Sequence, residues 1–171
     1  YQKLQLISSW YSPRANRWQF AARFSGGVMG PIGNAPSDFS PGSVDARVAR
    51  VPRERRFFIG GVNSLRGYGE NSLPSDGGLA MLLGNAEMRV PLLGPFGAEF
   101  FFDAGNVWAR PEQVQIADVV APWHARRALP NDLRYTYGVG ARLLLPFGPL
   151  RMDLAWSEDP DFPRSTVFHE R

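Results

Sequence analysis

The sequence predicts an all-β protein, an antiparallel transmembrane β-barrel wall of about seven strands. Three observations predict it. Apolar residues recur with a period of two through most of the chain, as in strands whose two faces meet different surroundings. The faces opposite the apolar ones carry Arg with Asp, Glu or Gly, and lysine is nearly absent; a soluble sandwich instead turns its apolar face inward and a polar face to water. Short turns rich in Pro and Gly alternate with long connections, as in barrels with short periplasmic turns and longer extracellular loops.

Composition permits this reading. The chain has 171 residues, a formal net charge of +3 and 44% hydrophobic residues, which suits one domain. The mean hydropathy of -0.24 would ordinarily indicate a soluble protein, but the alternating strands of a membrane barrel also average to near neutrality. No window approaches the roughly 18 apolar residues of a membrane helix. The absence of cysteine excludes a disulfide scaffold or a thiolate metal site. The positive charge is dispersed, without the basic cluster that nucleic acid requires.

The strands are expected at roughly 2–11, 17–26, 78–91, 97–108, 134–145 and 149–157, with a last one from Ser165. Strand-like pattern begins at once at Tyr1, so the natural N-terminus is expected further upstream. In the second strand Trp18, Phe20, Ala22 and Phe24 oppose Arg17, Gln19, Arg23 and Ser25. In the third, Ala86, Met88 and Val90 oppose Asn85, Glu87 and Arg89. In the fourth, Ala98, Phe100, Phe102 and Ala104 oppose Glu99, Phe101 and Asp103. The fifth sets Tyr135, Tyr137, Val139, Ala141 and Leu143 against Thr136, Gly138, Gly140 and Arg142. The sixth sets Leu150, Met152, Leu154 and Trp156 against Arg151, Asp153 and Ala155. Trp10, Tyr11, Trp18, Trp108, Tyr135 and Trp156 fall near strand ends, where interfacial girdles form. The turns SPRAN, LLGPFG and PFGP are tight, while 26–56 with the segment behind it, 109–132 and 157–165 are long. Seven strands cannot satisfy their own edges in lipid, so the chain is expected to be part of a larger barrel.

The segment from Arg55 to Leu73, RRFFIGGVNSLRGYGENSL, is too rich in glycine for a helix and too apolar for a solvated loop. Behind the paired Gly60 and Gly61 it holds Arg66-Gly67-Tyr68. An arginine in such a setting requires an acidic partner. Asp103, on the polar face of its strand, offers one.

RRFFIGGVNSLRGY, NAEMRVPL, FFDAGNVW and YGVGARLLLPFGPLRMDLAW occur in this order. From about residue 50 to its end the chain resembles the C-terminal half of the BamA/TamA-type outer-membrane assembly barrels, the bacterial surface antigen family. The first two strands agree in pattern only. The resemblance implies a barrel of about sixteen strands in the bacterial outer membrane, with periplasmic POTRA domains upstream. Residues 26–77 would be a long extracellular loop folded into the lumen, its Arg-Gly-Tyr tip docked on the inner wall. The strands after it would be the twelfth to fifteenth, and Ser165 onward the sixteenth. On that footing Arg66 offers Asp103 a bidentate fork, Gly67 allows a tight turn or close approach, and Tyr68 adds an apolar plate with a hydroxyl. Glu87 is a second partner. In a poorly solvated site, loss of one partner would cost about 3–5 kcal/mol, and much less in a wet lumen. The family closes on a terminal aromatic residue; here Phe168-His169-Glu170-Arg171 ends the chain, and truncation is expected.

The implied function is non-enzymatic and needs no cofactor or metal: insertion of client outer-membrane proteins, or passage of a secreted polypeptide, with the lipid bilayer, POTRA domains and accessory lipoproteins as partners. Alternatives are a two-partner secretion pore, a barrel anchoring an upstream passenger or enzymatic domain such as a patatin-like lipase, and a soluble all-β binding module. Other motifs give way to plainer readings. Gly138 and Gly140 lack the third glycine and helix of a nucleotide loop and suit a strand face that leaves room for the loop. His124 and His169 have no metal-ligand spacing. No GxSxG element occurs. Glu99 and Asp103 share a face but no sugar cleft is indicated. The Arg, Asp and Glu faces are expected to line a solvated lumen.

Overall fold

A computed structural model describes residues 1–13, 18–33, 46–114, 133–157 and 166–170. Seven strands form one antiparallel sheet: β1 (Gln2–Tyr11), β2 (Gln19–Gly30), β5 (Ala80–Pro91), β6 (Phe96–Trp108), β7 (Arg134–Leu145), β8 (Gly148–Ser157) and β9 (Thr166–Glu170), in that order across the sheet. Every neighbouring pair is antiparallel. Two short strands, β3 (Phe57–Ile59) and β4 (Leu73–Gly78), pair with each other and pack on β5 and β6. The helical elements among the described residues are the four-residue α1 (Ala46–Ala49) and two 3-10 turns, Arg53–Arg55 and Pro111–Gln113, so no helix there is long and apolar enough to cross a membrane.

The expected strands are present and the alternation has the expected meaning. Phe100 and Phe102 are 49% and 43% exposed, while Glu99 and Asp103 on either side of them are fully buried. Leu4, Leu6, Phe20, Phe24, Val139, Leu150, Met152 and Leu154 are also exposed. The sheet thus turns its apolar face outward and its polar face inward, the arrangement of a barrel wall in lipid. On the outer face Phe102 stacks near Tyr135, and Tyr137 near Trp156, each pair with ring centroids 6.3 Å apart. Trp10 and Trp18 are exposed at the other end of their strands. Trp108 departs from the girdle expectation: it is buried, at the strand end where the Leu79 backbone N–H donates to its carbonyl at 2.9 Å.

The turns at one end are short, with residues 92–95 joining β5 to β6 and Pro146-Phe147 joining β7 to β8. Leu92 and Phe96 close the first by a backbone hydrogen bond of 2.9 Å. Two details differ from the sequence expectation. β2 does not stop at 26 but continues to Gly30, pairing Gly27 with both Gln5 and Met81. Glycine is needed there because a Cβ on Gly27 would lie 2.5 Å from the Phe57 ring. The connection therefore starts beyond Gly30, and its residues 34–45 lie outside the described set. The β3–β4 pair carries no period-two signal, since LPSDGG is turn-like in composition. Arg53 and Arg56 hold it from outside, donating to the carbonyls of Ser75 and Asp76 at 2.8 Å each. Ser165, His124 and most of 109–132 and 157–165 also lie outside the described residues.

Between the folded-in segment and one end of the inner wall lies an apolar core. Val48, Val51, Phe57, Ile59, Leu65 and Tyr68 from the segment meet Met29, Met81 and Val107 from the wall. Several of these side chains are fully buried, and burial of one such side chain is worth roughly 1.5–3 kcal/mol. This core brings the segment down onto the wall and leaves its tip facing the charged middle of β5 and β6.

Candidate functional site: an arginine seated on the inner wall

The tip is shaped by its glycines. Gly60 (φ +114°) and Gly61 (φ +98°) both adopt a conformation that side chains rarely take. A Cβ at Gly60 would also lie 2.2 Å from the Gly69 carbonyl oxygen. Gly61 N–H donates to the Tyr68 carbonyl at 3.0 Å, and Ser64 N–H to the Gly61 carbonyl at 3.1 Å. The Ser64 hydroxyl donates to the Gly60 carbonyl and accepts from its N–H. The turn so closed presents Leu65, Arg66, Gly67 and Tyr68, all buried. Gly67 (φ +91°) passes so close to the wall that a Cβ would stand 3.2 Å from that of Ala155.

Arg66 is 2% exposed. Its Nε and Nη2 donate to the two carboxylate oxygens of Asp103, each at 2.6 Å. Its backbone N–H reaches the same carboxylate at 3.3 Å. Nη1 donates to Glu87 and to Glu99, both at 3.0 Å, and Asp153 stands 3.8 Å away. The guanidinium carbon lies 3.6 Å from the centroid of the Phe101 ring, within cation–π range. That ring needs Gly138: a Cβ there would come 2.3 Å from Phe101. Burial alone would lower the Arg66 pKa, but the Asp103 hydrogen bonds and the charges of Asp103, Glu87 and Glu99 outweigh it and hold it above the ordinary arginine range. The side chain stays charged throughout.

The carboxylates are held by the wall as well as by the loop. Asn85 Nδ2 donates to Asp103 at 2.8 Å and to the Ser64 carbonyl at 2.6 Å, joining wall and loop. Arg89 donates to Glu87 at 2.6 Å, Arg151 Nε to Asp153 at 2.6 Å, and Arg142 is in close contact with Glu99. Strand register explains the gathering. Asn85 pairs with Asp103 and Glu87 with Phe101 across β5–β6; Glu99 pairs with Gly140 across β6–β7; Gly140 pairs with Asp153 across β7–β8. These positions share one face.

Of the residues expected from sequence, Arg66, Gly67, Tyr68, Asp103, Glu87, Gly60 and Gly61 come together at this place. Glu99, Asn85, Phe101, Arg142, Arg151 and Asp153 were not expected as partners of Arg66. The face they occupy was legible from period two, but their registration across four strands was not. The expectation of a solvated face also needs correction: Glu99, Asp103 and Asp153 are buried beneath the loop. Among the described residues no group of three His, Cys, Asp or Glu could hold a metal.

An inverted sheet with a polar inner face, covered by a folded-in segment, defines a wall of an outer-membrane β-barrel. The chain belongs to the Omp85 superfamily, whose domain matches residues 1–169. It is 32% identical over 111 residues to the chloroplastic outer envelope protein 80 of Arabidopsis thaliana, covering 65% of this chain and 14% of that protein. It is 29% identical over 154 residues to the chloroplastic outer envelope protein 39 of the same plant, covering 90% and 38%. With the human sorting and assembly machinery component 50 homolog it shares 29% identity over 141 residues, covering 74% and 26%. Its fold is similar to that of BamA from Haemophilus ducreyi lacking POTRA domains 1–3, with a TM-score of 0.65, 19% identity, and coverage of 97% of this chain and 33% of that one. The chain therefore spans well under half the length of these relatives.

Proposed function

We propose that the chain is part of a barrel that inserts client outer-membrane proteins into the bilayer or passes polypeptide across it, and that Arg66 locks the folded-in loop to the inner wall. The observation that carries the reading is the buried Arg66–Asp103 fork, made between a loop tip and a wall strand 37 residues apart in sequence. Several kcal/mol of charge–charge and hydrogen-bond energy are concentrated at one contact. Such a contact fixes the loop in one arrangement while intact and frees it when broken. Membership of the Omp85 superfamily supports the transport side of the proposal, as does similarity to a protein named as a sorting and assembly machinery component. By the same analogy, POTRA domains, accessory lipoproteins and clients are the partners. An exposed strand edge of such a barrel can template an incoming strand by main-chain pairing.

The test is client insertion by the full-length barrel carrying Arg66→Ala or Arg66→Lys. Loss of insertion in Arg66→Ala, with partial retention in Arg66→Lys, is expected, because lysine keeps the charge but not the fork. Full activity in both variants would remove the lock from the mechanism.

A further inference from the structure

The loop tip is only one half of this contact, and the other half is assembled without it. We infer that the inner wall is a guanidinium receptor in its own right. When the tip leaves, the wall takes the arginine side chain of another polypeptide segment in the lumen. The inference rests on the reading of the loop as a docked, releasable element.

Four features of the wall carry it. First, its carboxylates are oriented by wall residues: Asp103 by Asn85, Glu87 by Arg89, Asp153 by Arg151 and Glu99 by Arg142. Departure of the tip leaves each with a partner that keeps it in place. Second, the wall residues joined by these ion pairs are four carboxylates (Glu87, Glu99, Asp103, Asp153) and three guanidiniums (Arg89, Arg142, Arg151), a balance of 3 − 4 = −1. Arg66 supplies the fourth cation and brings the network to neutrality. Among the described residues, the ion-paired wall network of an emptied site thus carries one more carboxylate than guanidinium. Third, the shape is selective for a planar cation. Asp103 offers two oxygens to a fork, Glu87 and Glu99 accept from the remaining nitrogen, and Phe101 supplies a flat floor 3.6 Å below. An ammonium group cannot satisfy the fork and the stack together. Fourth, a cavity of about 310 Å³ adjoins the seated guanidinium, bordered by Asn63, Asn85 and Glu87 and by the cations Arg23, Arg89 and Arg151. A competing side chain has space to approach there before the tip has fully withdrawn.

The loop is then a self-ligand. An arginine-bearing segment in the lumen would compete with Arg66 for the same carboxylates, so its arrival would favour release of the loop. Lysine-bearing segments would compete poorly.

The test uses the full-length barrel in detergent or liposomes. In Arg66→Ala, methylguanidinium at millimolar concentration should raise the thermal midpoint above that in sodium chloride of equal ionic strength. The increment should vanish when Asp103→Asn is added. A short glycine-flanked arginine peptide should bind Arg66→Ala on the order of tenfold more tightly than its lysine counterpart. If Arg66→Ala does not assemble, Arg66→Lys serves for both comparisons, with the same sign and a smaller size. Equal midpoints in the two salts, or equal binding of the two peptides, would overturn the receptor. Unimpaired client insertion by Arg66→Ala would instead remove the lock and leave the guanidinium response standing, so the two failures are distinguishable.

Discussion

The two faces of β6 obey opposite rules. Outward, Phe100 and Phe102 stand in the open; inward, Glu99 and Asp103 are wholly covered. In water this would be an inside-out protein. In a bilayer each face is where it should be, because lipid accepts the rings and the folded-in loop supplies partners for the charges. The lesson is that the stability of the two faces has different sources. The outer face depends on its solvent, a non-directional requirement met by any apolar side chain. The inner face is a set of directed ion pairs and hydrogen bonds, with fixed angles and distances, into which one loop side chain is inserted.

This contrast can be broken from either side. The largest effect is expected from removing the inserted cation: Arg66→Ala should destabilise the full barrel by about 3–5 kcal/mol, read as a lowered denaturant midpoint or loss of heat-resistant folded mobility. Next is a charge on the outer face. Phe100→Arg should cost about 2–4 kcal/mol if it lies near the bilayer midplane, whereas Phe100→Leu should be nearly silent in the same assay. Smaller again is Gly138→Ala. Its Cβ would meet the Phe101 ring at 2.3 Å and the Leu154 carbonyl oxygen at 2.1 Å, and overpacking of this kind costs about 1–3 kcal/mol. Adding Phe101→Leu should recover part of that loss. The smallest effect is expected at the exposed Arg47–Glu112 pair, 2.8 Å apart. Arg47→Ala should leave unfolding unchanged within error, since exposed pairs in water contribute little.

Much of the fold could be read from the chain because a barrel wall writes itself in period two. Phe100 and Asp103 fall on opposite faces by counting alone, and the paired glycines before Arg66 mark a bend. Two things could not be read. The β3–β4 pair is made by tertiary tethers, Arg53 and Arg56 onto carbonyls of Ser75 and Asp76, so LPSDGG has no strand pattern of its own. The membership of the inner cluster depends on register across several strands: Glu99 reaches Arg66 because β6 and β7 align Glu99 with Gly140, which has no side chain to intervene. Phe101 falls by counting on the same face as Glu99 and Asp103, and nothing in the sequence marks it as the surface on which the guanidinium lies. Gly27 was expected in the connection beyond its strand and is a paired strand residue on which the Phe57 ring closes in.

If Arg66 and Asp103 hold the loop to the wall as one unit, their losses cannot add. A double-mutant cycle with Arg66→Ala and Asp103→Asn, read as unfolding free energy of the full-length barrel, measures that coupling. Strong coupling is expected, with the double variant scarcely less stable than the worse single one. Additive losses would show that the two residues act separately.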